Sequence, residues 1–288
     1  MKVTVLAPAK INLTLDVLGK RDDGYHAIDT IMQTVDLCDR VTVEKGVVDN
    51  LTLCISDAAL PTDERNTAIK AARAFANATG NSVEDVRITV EKQIPQQAGM
   101  AGGSADAAGV LWGLNRLFGG PLSAEELCAV GVKVGADVPF CVLGGTARAT
   151  GIGEVLTPVS PLPPVTVLVI KPDACVSTAA AYAAIDSCTI ARRPDNAAML
   201  QALQAADLSS VGKNLCNVFE EAIGLPEPAV IRKAALAHGA CGCIMTGSGS
   251  AVFALFADAK NAKACQSQLA PAFPNSWLCT PCEGVRFL

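Results

Sequence analysis

The run Ile94–Gly109, IPQQAGMAGGSADAAG, decides how this chain is read. It follows Val86–Lys92, VRITVEK, in which apolar and polar residues alternate as in a half-buried strand. It leads into Ser104–Phe118, an alanine-rich run with Leu and Trp at helical spacing. A strand, a loop holding Gly99, Gly102 and Gly103, and a helix opening on Ser104 together make a phosphate cradle. Glycines let backbone approach an anion closely, and the first free N–H groups of a helix face it with the positive end of the dipole. A tight strand-to-helix turn without a ligand would use the same glycines, so other segments must decide.

The rest of the chain narrows the class. Its 288 residues can bury a substantial core and suggest two domains. The formal net charge of -5, with no long run of either sign, lacks the basic footprint of a nucleic-acid binder. Lys10 and Asp16 interrupt the apolar start, so no signal peptide is expected. No window of about 18 uninterrupted apolar residues occurs, so no membrane contact is expected either. These features suit a cytoplasmic enzyme. Its 12 cysteines should then be reduced thiols that pack as small hydrophobes. Cys241, Cys243, Cys279 and Cys282 imitate a zinc site. However, Cys241-Gly-Cys243 is one residue short of the usual knuckle spacing, which favours packing.

Pro158–Pro164, PVSPLPP, cannot continue a helix or central strand and divides the chain into residues 1–157 and 158–288. Before it, strands are predicted near Val3–Ala7, Asn12–Leu18, Ile28–Leu37, Arg40–Glu44, Leu51–Ile55 and Val86–Glu91. Helices are predicted near Thr67–Ala78, Ser104–Phe118 and Ala124–Val132, the last with a Ser123/Glu126 capping box. After it come a strand at Val165–Ile170, helices near Thr178–Ile185, Asn196–Ala205 and Pro228–His238, and a hairpin of Cys243–Thr246 and Ala251–Phe256. Strands and helices in this irregular order indicate an α+β protein. Neither the P-loop pattern nor the G-x-G-x-x-G fingerprint is present, so the glycine loop belongs to another phosphate binder.

Three blocks supply a resemblance. Ile94–Ala108 is similar to the second motif of the GHMP kinase superfamily, Ala7–Leu13 (APAKINL) to its amino-terminal motif, and Met245–Ser250 with Ala251–Phe256 to its carboxy-terminal one. Pro8–Leu37, with Asp-Gly-Tyr-His at 23–26, and GADVPF at Gly135–Phe140 resemble the branch whose acceptor alcohol carries a cytidine diphosphate group. The resemblance implies a two-domain α+β fold, each domain a mainly antiparallel sheet with helices, and an active site in the cleft between them. It also implies phosphoryl transfer from ATP, with Mg2+ arriving as the ATP complex, to the tertiary 2-hydroxyl of that small-molecule acceptor. The chain would act as a monomer or weak homodimer.

Each site residue has a physical rationale beside the resemblance. Phosphoryl transfer to an alcohol needs charge stabilisation, in-line positioning and an acceptor for the hydroxyl proton. Asp137, in a Gly-Ala-Asp-Val-Pro turn among apolar residues, is the candidate base, although an aspartate there could simply cap a helix. Lys10, in the apolar context PAKINL, calls for an anionic partner, and the resemblance pairs it with Asp137. Asn12 shares a strand face with Lys10 and is expected to hydrogen-bond the acceptor. Tyr25 offers a stacking platform for a nucleobase. The resemblance sets Tyr25 and His26 against cytosine, with Tyr182 as the second ring of a sandwich. It lays ATP along Gly99, Gly102, Gly103 and Ser104, with Asn66 near the adenine, though Asn66 equally suits a helix N-cap. Ala101 and Ala105 stand where many members carry Gly and Ser, which leaves Ser104 as the hydroxyl for the phosphate or metal side. Asp106 is expected to cap or brace the helix, and Gly247, Ser248 and Gly249 to form a second phosphate nest.

Overall fold

The structure, a computed structural model, describes residues 1–288. Its first half contains β1 (Lys2–Lys20), β2 (His26–Lys45), β3 (Thr52–Ile55), α1 (Thr67–Thr79), β4 (Val86–Glu91), α2 (Gly102–Leu117), α3 (Ala124–Val132), α4 (Val138–Leu143), β5 (Thr146–Thr150) and β6 (Val155–Pro158). The second half contains β7 (Thr166–Ile170), α5 (Thr178–Ser187), α6 (Asn196–Gln204), α7 (Leu208–Asn214), β8 (Cys216–Asn217), α8 (Val218–Ile223) and α9 (Glu227–Ala237). It ends with β9 (Gly242–Met245), β10 (Val252–Phe256), α10 (Ala259–Leu269), β11 (Ser276–Cys279) and β12 (Arg286–Phe287).

The backbone of the molecule is the antiparallel pair β1 and β2. The sequence suggested two short strands in each, but both run unbroken and absorb their irregularities as bulges at Pro8/Ala9, Asn12/Thr14 and Val17/Gly19. Opposite Pro8, which has no N–H to donate, the pairing jumps from Cys38 to Val35. Every residue from Ala7 to Val17 is buried, so this stretch is covered on both faces.

Helix α2 covers one face of the pair, and its composition follows from how closely it sits. A Cβ on Gly109 would lie 2.8 Å from Val41 Cγ2, and one on Gly113 would lie 2.9 Å from Val43 Cγ2. Ala105, one turn before Gly109 on the same helix face, is fully buried. The alanine and glycine content of the helix therefore sets its distance from the sheet.

The first sheet has the order β12-β1-β2-β4-β3, with β5 and β6 attached through β2, and β8 beside β1. The second is antiparallel in the order β11-β7-β10-β9. This is a two-domain α+β fold with helices packed on mainly antiparallel sheets. The division is not linear in sequence, because β8 and β12 cross back from the second half to pair with β1. Pro158 itself is the last residue of β6. Cys241 and Cys243 belong to the β9 edge of the second sheet, whereas Cys279 lies on β11 at the opposite edge. Burial raises the Cys243 and Cys279 thiols to about 12. No helix is long and apolar enough to cross a membrane.

Candidate active site

A cleft of about 810 Å³ runs between the two sheets, and all of the sequence-predicted site residues line it except Ser104. On its phosphate side, α2 begins at Gly102, two residues earlier than the sequence suggested. The reason is Ala101, which takes the left-handed backbone at φ 57 and ψ 35 and turns the chain directly into the helix. A non-glycine residue there costs roughly 1 kcal/mol. Ala105 N–H bonds to Ala101 carbonyl, so the N–H groups of Gly102, Gly103 and Ser104 precede the first helical bond. Thr67, at the start of α1, donates its hydroxyl to Gly103 carbonyl (2.7 Å) and ties the two helix starts together.

The expected second nest is part of the same structure. Gly99, at φ 70, crosses the loop after β9 so closely that a Cβ would fall 2.1 Å from Thr246 carbonyl oxygen. A Cβ on Gly247, at φ 54, would fall 2.5 Å from Gly99 carbonyl oxygen. Ser250 N–H donates to Gln97 carbonyl (3.2 Å) and Ala251 N–H to Ala98 carbonyl (3.3 Å). Ser248 and Gly249 complete this loop at the cleft wall. The phosphate loop and the carboxy-terminal loop are therefore one joined backbone element.

Asn12 fixes that element to the strand that carries Lys10. Its side-chain oxygen accepts from Lys10 Nζ at 2.7 Å and from Gly247 N–H at 3.0 Å, while Nδ2 donates to Thr30 Oγ1 at 2.9 Å. Its backbone N–H donates to Thr246 Oγ1 at 3.0 Å. Three of these contacts use side-chain capacity that the sequence reading reserved for an acceptor, so Asn12 is a structural hub with one amide hydrogen left over.

Lys10 is buried, and its Nζ lies 3.9 Å from Asp137 Oδ2. Asp137 occupies the cap position of α4, yet its side chain makes no capping bond. Pro139, at the start of that helix, has no N–H to satisfy. The carboxylate is thus left free toward the cleft, with 36% of the side chain exposed.

A buried ion cluster missed by the sequence reading braces the phosphate loop from behind. Lys92, at the end of β4, bonds both Asp39 on β2 and Asp106 on α2, the latter at 2.7 Å. Asp39 also accepts from Ile94 N–H at 2.9 Å. Burial opposes the charge on Lys92, but the two carboxylates outweigh it and hold its pKa above the ordinary lysine value. One cation cannot fully compensate two carboxylates. Burial, opposed by Lys92 and reinforced by Asp39, raises Asp106 to about 7. The other Asp106 oxygen, Oδ1, is buried without a partner.

The opposite end of the cleft is built from side chains. His26 stacks on Tyr182 with centroids 4.6 Å apart and planes at 22°. Tyr182 meets Phe219 edge-on at 5.0 Å. Burial, with a smaller effect of the Asp137 charge, pushes the Tyr182 hydroxyl up to about 12. The sequence reading set Tyr25 opposite Tyr182, but His26 covers that face, and Tyr25 stands 60% exposed at the cleft mouth. Tyr25 is held there by a tight turn, with Asp23 Oδ1 accepting from its N–H at 3.1 Å. Phe219 and Asn217 carried no sequence signal beyond an Asn before an apolar helix. Asn217 caps α8 and donates to Met245 and Gly247 carbonyls at 2.8 and 2.9 Å.

Asn66 lines the cleft and caps α1, accepting from Ala68 N–H at 2.9 Å and donating to Pro61 carbonyl at 2.7 Å. No three His, Cys, Asp or Glu side chains converge in a metal-binding arrangement. A divalent cation here would be held mainly by nucleotide phosphates, as Mg2+ commonly is.

Comparison with known proteins places the chain in a family. Residues 66–145 match the family described as GHMP kinases N terminal domain, and residues 199–275 match GHMP kinases C terminal. The chain is 46% identical to 4-diphosphocytidyl-2-C-methyl-D-erythritol kinase of Caldicellulosiruptor saccharolyticus, covering 98% of this chain and 97% of that protein. It is 40% identical to the enzyme of the same name from Alkaliphilus oremlandii, covering 94% and 93% respectively. Among solved structures, a 4-(cytidine 5'-diphospho)-2C-methyl-D-erythritol kinase superposes with a TM-score of 0.81 at 35% identity, over 99% of this chain and 100% of that one. A homoserine kinase from Cytophaga hutchinsonii has a TM-score of 0.78 at 20% identity, covering 100% of this chain and 97% of that one, which is a likeness of fold.

Proposed function

The chain belongs to the GHMP kinase family, and on that premise we propose that it transfers the γ-phosphoryl of ATP to the 2-hydroxyl of 4-diphosphocytidyl-2-C-methyl-D-erythritol. The observation that carries this reading is the Lys10–Asp137 pair, 3.9 Å apart, between a backbone phosphate cradle and an aromatic pocket. GHMP kinases take ATP as phosphate donor, and its phosphates would lie over Gly99, Gly102, Gly103 and Ser104, with Gly247, Ser248 and Gly249 closing the far side. Asn66 would border the adenine. Tyr25, His26 and Tyr182 would hold the cytosine, and Asn12 would hold Lys10 in register.

In this reading the acceptor hydroxyl gives its proton to Asp137 as the phosphoryl group leaves ADP. Lys10 stabilises the developing alkoxide and the phosphate oxygens, and the N–H groups at the start of α2 stabilise the transferring group. Mg2+ bound with ATP would supply charge neutralisation between the phosphates, and Ser104, the hydroxyl at the start of α2, would be the residue set toward it. The chain would act as a monomer or weak homodimer, with β8 and β12 of the second half completing the first lobe. The buried thiols with raised pKa values suit a reducing cytoplasm.

A coupled ADP-release assay with the cytidylated methylerythritol, mevalonate and homoserine tests the reading. Turnover should occur with the first acceptor alone. Turnover with mevalonate or homoserine in its place would overturn the assignment.

A further inference from the structure

We infer that Asp186 is a positioning residue for base recognition, holding His26 so that its Nδ1 faces the cleft as a hydrogen-bond acceptor for the exocyclic amine of cytosine. The inference rests on the cytidine reading above and adds to it the residue that orients the base-facing imidazole.

Asp186 lies four residues after Tyr182 on α5, so the two side chains share one helix face. They grip the same imidazole in different ways. Tyr182 lies against its face at 4.6 Å, and Asp186 Oδ1 takes its edge at Nε2, 2.7 Å away. The edge-on contact of Phe219 with Tyr182 fixes the stacking plane from behind. His26 is held at both face and edge, with only 9% of its side chain exposed. His26 lines the cleft, whereas Asp186, 43% exposed, does not, so it reaches a ligand only through the imidazole.

The hydrogen-bond chemistry follows from the partner. An ionised carboxylate only accepts, so Nε2 carries the proton. In the neutral imidazole Nδ1 then keeps its lone pair. Cytosine presents an amine donor at its 4-position, where uracil presents a carbonyl acceptor. An Nδ1 acceptor pairs with the amine and repels the carbonyl. A site built to bond one polar group rejects the analogue that lacks it far better than an apolar pocket does. A plain surface ion pair between Asp186 and His26 would contribute little and would not touch base preference.

Asp186→Ala, with Asp186→Asn as the conservative variant, tests this in the full-length enzyme. Wild type should be inhibited by CDP more strongly than by UDP. Asp186→Ala should narrow that ratio about tenfold and raise the acceptor KM by a similar factor, leaving kcat and the ATP KM within about twofold. Asp186→Asn, whose carboxamide oxygen still accepts from Nε2–H, should recover much of the loss. The chain has only two histidines, so 15N imidazole shifts, assigned with His238→Gln, report the tautomer directly. Neutral wild-type His26 should carry its proton on Nε2, and Asp186→Ala should mix the two tautomers. An unchanged CDP/UDP ratio in Asp186→Ala, a parallel fall in kcat and ATP affinity, or a wild-type Nδ1–H tautomer would overturn the role. A wild type that does not prefer CDP would instead overturn the cytidine reading beneath it.

Discussion

The two ends of the cleft are built from different materials. At the phosphate end, backbone touches backbone: Gly99 and Gly247 cross without side chains, and Asn12 ties both loops to β1. At the base end, three side chains from distant segments, His26, Tyr182 and Phe219, form the surface, and Tyr25 is left open to solvent. The first end needs a fixed shape, because phosphates are common to every reaction with ATP. The second carries the choice of acceptor. Substitutions at the phosphate end should therefore damage fold and turnover together, while those at the base end should separate binding from stability.

The largest effect is expected at the crossing. Gly99→Ala puts a Cβ 2.1 Å from Thr246 carbonyl oxygen on a left-handed backbone, and should cost about 2–4 kcal/mol. Thermal unfolding measures it, and an unchanged Tm would mean that the loops do not cross. At the base end, Tyr182→Ala removes the ring on which His26 stacks, and should raise the acceptor KM by roughly tenfold or more. Its ATP KM should stay constant, and a parallel rise in both would erase the separation between the ends.

A smaller effect comes from the cluster behind the phosphate loop. Burial, against the pull of Lys92, raises Asp106 to about 7, above its value of roughly 4 in an unfolded chain. The folded state therefore binds this proton more tightly, and the group's contribution to stability falls as pH rises from about 4 to about 7. Asp106→Asn does not titrate, so wild type should lose stability relative to it between about pH 4 and about pH 7. A pH-independent difference in denaturant midpoints would show that the carboxyl is not buried as described. The smallest effect is expected at the cleft mouth. Tyr25→Ala, at a 60% exposed position, should alter stability by less than about 0.5 kcal/mol while weakening acceptor binding. A larger stability loss would place that ring in the core.

The same contrast explains what could be read from the sequence. The glycine loop was legible because a short contiguous stretch needs those residue types for a local backbone shape. α3 was legible to the residue because Ser123 and Glu126 satisfy each other within one turn. The start of α2 was misplaced because Ala101, a residue that usually avoids left-handed backbone, makes the turn there. The long β1 and β2 strands read as four because their bulges look like ends until the partner strand is known. The hub at Asn12 depends on Thr246 and Gly247, 234 and 235 residues away, and no local pattern announces it. His26 and Asp186 are likewise separated by 160 positions.

The central claim is that Asp137, beside Lys10, takes the acceptor proton in this cleft. The kcat of Asp137→Asn with ATP and the cytidylated methylerythritol, measured alongside acceptor affinity, tests it most directly. A fall of about 10²-fold or more with affinity retained is expected of a lost base. Turnover near the wild-type rate would contradict the role.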